Sequence, residues 1–323
     1  MCTGLDADQE IHERESPTTS VSNRKPAFGM TSTKQHWRGN VLVLSSAVSF
    51  GLMPIFARLA YENHVNVREL LLVRFILAFL AMGAFLLATG RLAVPDRNQL
   101  LILLALGGIG YFAQSTLYFN SLLYVPVSIV SLILYTYPPF VTAGSLVLGW
   151  EKMSVSLAVC LSLALVGLGL VANPTGHIVL VGALLALGAS ITYTMYILVS
   201  TRVLRNVSGD VASFYVMGAA ALSFVLSDSL TGGISISWNF QAWIWVLLIS
   251  VVSTIVAITT FFQGVRLIGP SRASILSSIE PATAIVAASI LFAESLNAYQ
   301  IAGGLLIVVA ALLTAFSKRT RRH

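Results

Sequence analysis

The chain has 323 residues, of which 56% are hydrophobic and only 10% charged. A soluble protein of this size carries about 25% charged residues to face water, so most of this surface faces something else. The net charge of +6 is scattered over tails and short loops with no basic patch interleaved with aromatics, so nucleic acid is not an expected partner.

Residues 1–37 are polar and rich in Ser, Thr and charge. They are expected to be a disordered tail, because too little apolar surface is present to offset the entropy of ordering. No apolar core precedes a small-residue cleavage site, so the tail is not read as a signal peptide. Ten apolar segments follow, over 40–60, 69–89, 100–122, 127–149, 154–171, 178–200, 211–230, 242–265, 272–292 and 299–316. Each is about long enough to cross a ~30 Å hydrocarbon core as a helix. Between them stand breaks such as Asn63 and Asn66, Pro95-Asp96, Pro126, Asn173-Pro174, Gly232-Gly233 and Gly269-Pro270. Residues 318–323 form a basic tail.

The stretch from Tyr118 to Leu170 is written twice. Glu294 lies 143 residues after Glu151, and the same shift carries Phe119 to Phe262, Ser128 to Ser271, Ser131 to Ser274, Pro138 to Pro281 and Leu148 to Leu291. Each copy is an apolar run with Ser, then a central Pro, then one Glu at its end. The fold expected is all-α integral membrane, with ten transmembrane helices as a 5+5 repeat over 38–172 and 178–317. With a cytoplasmic N-terminus, 16 of the 19 basic residues fall on the inner side, leaving only Arg58, Arg68 and Arg74 toward the other. Both ends are then cytoplasmic. A repeat unit of five spans, being odd, must insert its second copy upside down.

At this point the chain resembles the EamA-type family of the drug/metabolite transporter superfamily. The resemblance rests on Tyr118-Phe119-Asn120-Ser121, Pro138 and Leu148-Gly149-Trp150-Glu151, recurring as Phe261-Phe262-Gln263-Gly264, Glu280-Pro281-Ala282 and Phe292-Ala293-Glu294, with Gly303-Gly304 in the last span. Phe50-Gly51 stands where the family often has Trp-Gly. The resemblance implies transport of amino acids, other metabolites or drugs across a bacterial plasma membrane, often as export.

Glu280 is the one acid placed near the middle of a span. A bare carboxylate there is expensive, so it should face the bundle interior or a water-filled cavity. Proton coupling or contact with a cationic solute group is one role; bonding to backbone groups around Pro281 is the other. Arg74 either holds a solute carboxylate through paired hydrogen bonds or extends its long side chain to the outer interface, the reading its distance from the span end favours. Tyr111, Gln114 and Tyr118 share one face of the third span, Ser131, Tyr135 and Pro138 one of the fourth, while Ser190 and Tyr193 come from the sixth. These faces should point inward and line a cavity for a small amphipathic solute. Pro138 and Pro281 are candidate hinges, and Glu151 and Glu294 are span-end contacts. Paired glycines, Gly167 with Gly169 and Gly303 with Gly304, are expected to admit close helix approach.

No His falls within a span, and HExxH, GxSxG and P-loop motifs are absent. No catalytic residue, metal or cofactor is therefore expected. A secondary transporter working by alternating access is the expected function, with a proton or exchange gradient as its drive. A passive facilitator of the same solutes is the rival within transport. An integral-membrane enzyme or lipid scramblase is the rival outside it.

Overall fold

Helix follows helix through the described residues, as uninterrupted hydrophobic runs demand where no water can satisfy backbone groups. The computed structural model describes residues 33–124, 133–150, 152–172, 180–230, 236–292 and 298–316, with Val130 and Gly232. Ser128, Ser131, Glu151, Glu294, residues 1–32 and the basic C-terminal tail lie outside the described residues, while residues 33–37 of the expected tail are helical and open α1. The first half holds α1 (Thr33–Gly51), α2 (Met53–Glu62), α3 (Val67–Ala88), α4 (Arg97–Ala105), α5 (Phe112–Ser121), α6 (Tyr137–Val147) and α7 (Val155–Ala172). The second holds α8 (Leu180–Val203), α9 (Gly209–Leu230), α10 (Phe240–Ser250), α11 (Ala257–Ile268), α12 (Pro270–Ser277), α13 (Ile279–Phe292) and α14 (Ala298–Phe316). The protein is an all-α, multi-pass membrane protein. Among the described residues, six helical stretches are long and apolar enough to cross a membrane: Gln35–Glu62, Val67–Ala88, Arg97–Ser121, Leu180–Val203, Gly209–Leu230 and Phe240–Ile268.

Irregularities recur at matching places in the two halves. A π-helical turn joins α4 to α5 over Leu106–Tyr111, and another joins α10 to α11 over Val251–Val256. Tyr135 and Thr136 form a turn just before α6, and Ser278 one between α12 and α13. The 143-residue shift carries Tyr135 to Ser278 and Pro138 to Pro281, so both breaks stand directly ahead of the repeated proline. A proline in the first turn of a new helix has no intrahelical partner to lose, which is why the ladder stops there.

Packing is reciprocal as well. α1 lies against α11 while α8 lies against α5, α1 meets α12 and α13 while α8 meets α6, and α3 pairs with α9 as α7 does with α14. The α3–α9 contact shows this in its side chains. Phe79 and Phe214 stack at 4.8 Å. A Cβ on Gly218 would come 2.6 Å from Phe79, and one on Gly83 would come 3.0 Å from Phe214. Each glycine is thus the socket for the other helix's ring. An exposed ion pair, Arg68–Asp228 at 3.5 Å, ties the same two helices near one end, and Arg91, just past α3, approaches Asp210 to 4.0 Å at the other. At α7–α14, Gly167 lies on the backbone of Gly303, as expected. Gly169 and Gly304 face open space instead and admit no close neighbour.

Candidate functional site

The break in the first span begins the site. Pro54 in the first turn of α2 removes a backbone donor, and the chain turns at Leu52 between α1 and α2. Immediately before it, Gly51 lies so close to α13 that a Cβ would stand 2.6 Å from the Glu280 carbonyl oxygen and 2.7 Å from Thr283 Cβ. Only a residue without a side chain lets α13 approach this closely, and the approach brings Glu280 to the interior.

A cavity opens at this junction, with about 570 Å³ of empty space counting its open mouth. Arg74, Tyr111, Gln114, Tyr118, Tyr135, Tyr193, Glu280 and Pro281 all line it. These residues come from both halves of the chain. Pro138 is not among the lining residues. It is buried in the first turn of α6. Ser190 is not at the wall either: its hydroxyl sits 2.9 Å from that of Thr136 and ties the break before α6 to α8.

Arg74 does not extend to the outer interface. Its side chain is 1% exposed and turned into the bundle. The guanidinium lies 4.6 Å from the centre of the Phe75 ring and 5.5 Å from that of Phe119, contacts each worth about 0.5–2 kcal/mol. Its hydrogen bond from Nη2 to the Tyr111 hydroxyl is long, at 3.5 Å, and Nη1 donates to the weak acceptor Met53 Sδ at 3.4 Å. Nε is buried with no partner among the described residues. A buried guanidinium without a carboxylate is costly, and here aromatic faces and a thioether stand where an anion would.

Glu280 is the complementary case. Its Oε2 accepts a hydrogen bond from the Tyr135 hydroxyl. Its Oε1 is buried with no partner among the described residues. The cavity therefore presents one cation and one acid, each with unused hydrogen-bonding capacity.

The remaining wall is a fixed aromatic frame. Tyr193 meets Tyr137 edge-on at 4.8 Å, and Tyr111 meets Phe75 and Tyr196 edge-on, both at 5.3 Å. Tyr111 ends the π-helical turn, a local widening that often accompanies function. Phe50, Met53, Pro54, Phe119 and Leu134 also line the cavity and were not anticipated as site residues. For the first three, the Phe-Gly-x-x-Pro run, an interruption inside an apolar span, was the available signal. No group of three or more potential metal ligands occurs among the described residues.

The profile of the EamA-like transporter family matches residues 37–173 and, a second time, residues 180–316. The chain belongs to the EamA-like transporter family. The two matches are themselves 143 residues apart, the spacing of the internal repeat. An uncharacterized transporter of Archaeoglobus fulgidus is 28% identical over 279 residues, covering 85% of this chain and 95% of its own. The uncharacterized transporter YcbK of Bacillus subtilis is 23% identical, covering 85% and 92%. A solved crystal structure matches the fold with a TM-score of 0.75 at 17% identity, over 86% of this chain and 98% of that one. Membership of this EamA-like family makes the protein a secondary transporter in general function, and the motifs that first suggested it lie inside both matched segments.

Proposed function

We propose that this EamA-like protein carries a small zwitterionic organic solute, an amino acid or a close relative, out across the cytoplasmic membrane by alternating access. The observation that carries this reading is the pairing of Arg74 and Glu280 in one cavity, each buried with a polar atom that has no partner among the described residues. A solute carboxylate on Arg74 supplies the missing anion through charge-assisted bonds. An ammonium on Glu280 supplies the missing donor. The tyrosine frame takes the apolar part.

The supporting architecture is ten spans in a 5+5 inverted repeat, with both termini cytoplasmic. Repeated breaks, reciprocal packing and the bias of basic residues all support it, and a solute at the junction of the halves is where such folds place it. Between solute cycles Glu280 takes a proton, which couples transport to a proton gradient.

Ligand-dependent thermal stability of the purified protein tests the binding step. A ligand that binds only the folded state stabilises by about 2.7 kcal/mol at a hundred times its dissociation constant. A zwitterionic amino acid that binds should raise the melting temperature, while its methyl ester and its N-acetyl form should not. Equal shifts from all three would remove the paired-charge reading.

A further inference from the structure

Several buried hydroxyls in this protein bond to a carbonyl of their own helix, as Ser200, Ser213, Ser250 and Thr194 do. Buried serine and threonine hydroxyls without a partner among the described residues are concentrated on two helices. Thr142 and Ser145 on α6, Ser271 on α12 and Ser278 at its end are each at most 1% exposed, with hydroxyls that have no partner among the described residues. α6 and α12 pack on each other, and every residue of α12 is buried. A buried polar group without a partner costs about 1–3 kcal/mol. Four such hydroxyls on two helices that pack together are an expensive way to build a permanently dry interface.

The seam also begins at the cavity. Tyr137 is fully buried at the start of α6. Its hydroxyl donates to the Ser274 carbonyl at 3.4 Å, and its ring lies 5.6 Å from Tyr135 and 4.8 Å from Tyr193, both cavity residues. Tyr137 therefore stands between the cavity on one side and α12 on the other.

We propose that the α6–α12 seam is the closed half of the solute pathway, barred by Tyr137 and lined by hydroxyls that become hydrated when it opens. The inference rests on the alternating-access reading and adds to it the route and its bar. In the closed arrangement the hydroxyls are dry and unpaired, which biases the seam toward opening. In the open arrangement water satisfies them, as it does polar groups with room to admit it. The 143-residue shift puts Ser128 and Ser131 of the first copy at the positions of Ser271 and Ser274.

Cysteine accessibility tests this without knowledge of the solute. In a background with Cys2→Ser and Cys160→Ala, Thr142→Cys, Ser145→Cys and Ser271→Cys are made singly and labelled in sealed membranes with an impermeant maleimide. Ser213→Cys on α9, equally buried but internally bonded, is the control. Labelling follows the fraction of time a site is open. The three seam cysteines should react on the order of tenfold faster than the control, and only from the cytoplasmic face. Tyr137→Ala, or Tyr137→Phe should the first fail to fold, should raise their rate further. Thr142→Val removes an unpaired hydroxyl, so it should leave melting temperature equal or higher while slowing labelling of Ser145→Cys.

Seam cysteines that react no faster than Ser213→Cys would overturn the proposal, as would reaction equally from both faces. That result is separate from failure of the transport reading, which would appear as an accessible seam in a protein that moves no solute.

Discussion

Arg74 and Glu280 make opposite demands on a ligand, and the two are separable by substitution. Arg74→Lys keeps the charge but loses the planar fork, so paired recognition of a carboxylate fails. Affinity for a carboxylate-bearing solute should fall about 10- to 100-fold, the equivalent of about 1.5–3 kcal/mol for a hydrogen bond to a charged group. Equilibrium binding measures it, and an unchanged constant would exclude a bidentate role. Glu280→Gln keeps shape and removes the exchangeable proton. It should still exchange solute across the membrane, at weaker affinity because the ammonium loses its counter-charge, while losing the response to an imposed pH gradient. At this scale the residues were legible but their surroundings were not. Every cavity residue among Arg74, Tyr111, Gln114, Tyr118, Tyr135, Tyr193 and Glu280 was visible from its chemistry inside an apolar run. The direction of Arg74 was misjudged because side-chain reach alone does not reveal which neighbours cover it. Phe75, Phe119 and Tyr111 do so here.

Elements are bent toward the site by small residues and prolines. Gly51 is the sharpest case, since a methyl group there meets the α13 backbone. Gly51→Ala should destabilise the protein by about 1–3 kcal/mol through overpacking and should reduce transport by displacing Glu280. Gly304→Ala, with nothing within 4 Å of its added carbon, should be neutral or stabilise by up to about 1 kcal/mol from helix propensity. Melting temperatures of the two variants in one detergent compare them directly. At the α3–α9 contact, Phe79→Ala and Phe214→Ala should be non-additive, with a coupling of about 0.5–1.5 kcal/mol for the ring pair. Strict additivity would mean that the rings do not interact. The helix breaks and π-helical turns were only partly legible. Hydropathy is the same for α and π backbone, so the turns at Leu106–Tyr111 and Val251–Val256 leave no trace in composition. The prolines marked the later breaks, but the turn at Leu52 was missed within a run read as continuous.

For the whole molecule, the internal repeat was legible where it is strongest and hidden where it is offset. A shift of 143 exposes the third to fifth segments of each half. Phe79-Leu80-Ala81-Met82-Gly83 and Phe214-Tyr215-Val216-Met217-Gly218 share Phe, Met and Gly but stand 135 apart. An alignment held at 143 passes over them, and only their mutual packing reveals the correspondence. In the alternating access we propose, two halves packed reciprocally around a cavity with breaks on either side exchange roles, one half-pathway opening as the other shuts. Such a device moves solute against a gradient only if a second, favourable movement is tied to the same cavity.

Uptake into liposomes containing the purified protein is the most direct test of that tie. A panel of zwitterionic amino acids is supplied with and without an imposed pH gradient, for the wild-type chain and for Glu280→Gln. The account predicts accumulation above the external concentration only with the gradient, and only for the wild-type chain. Equilibration of the same solute regardless of the gradient, and equally in both proteins, would contradict it and make the protein a facilitator.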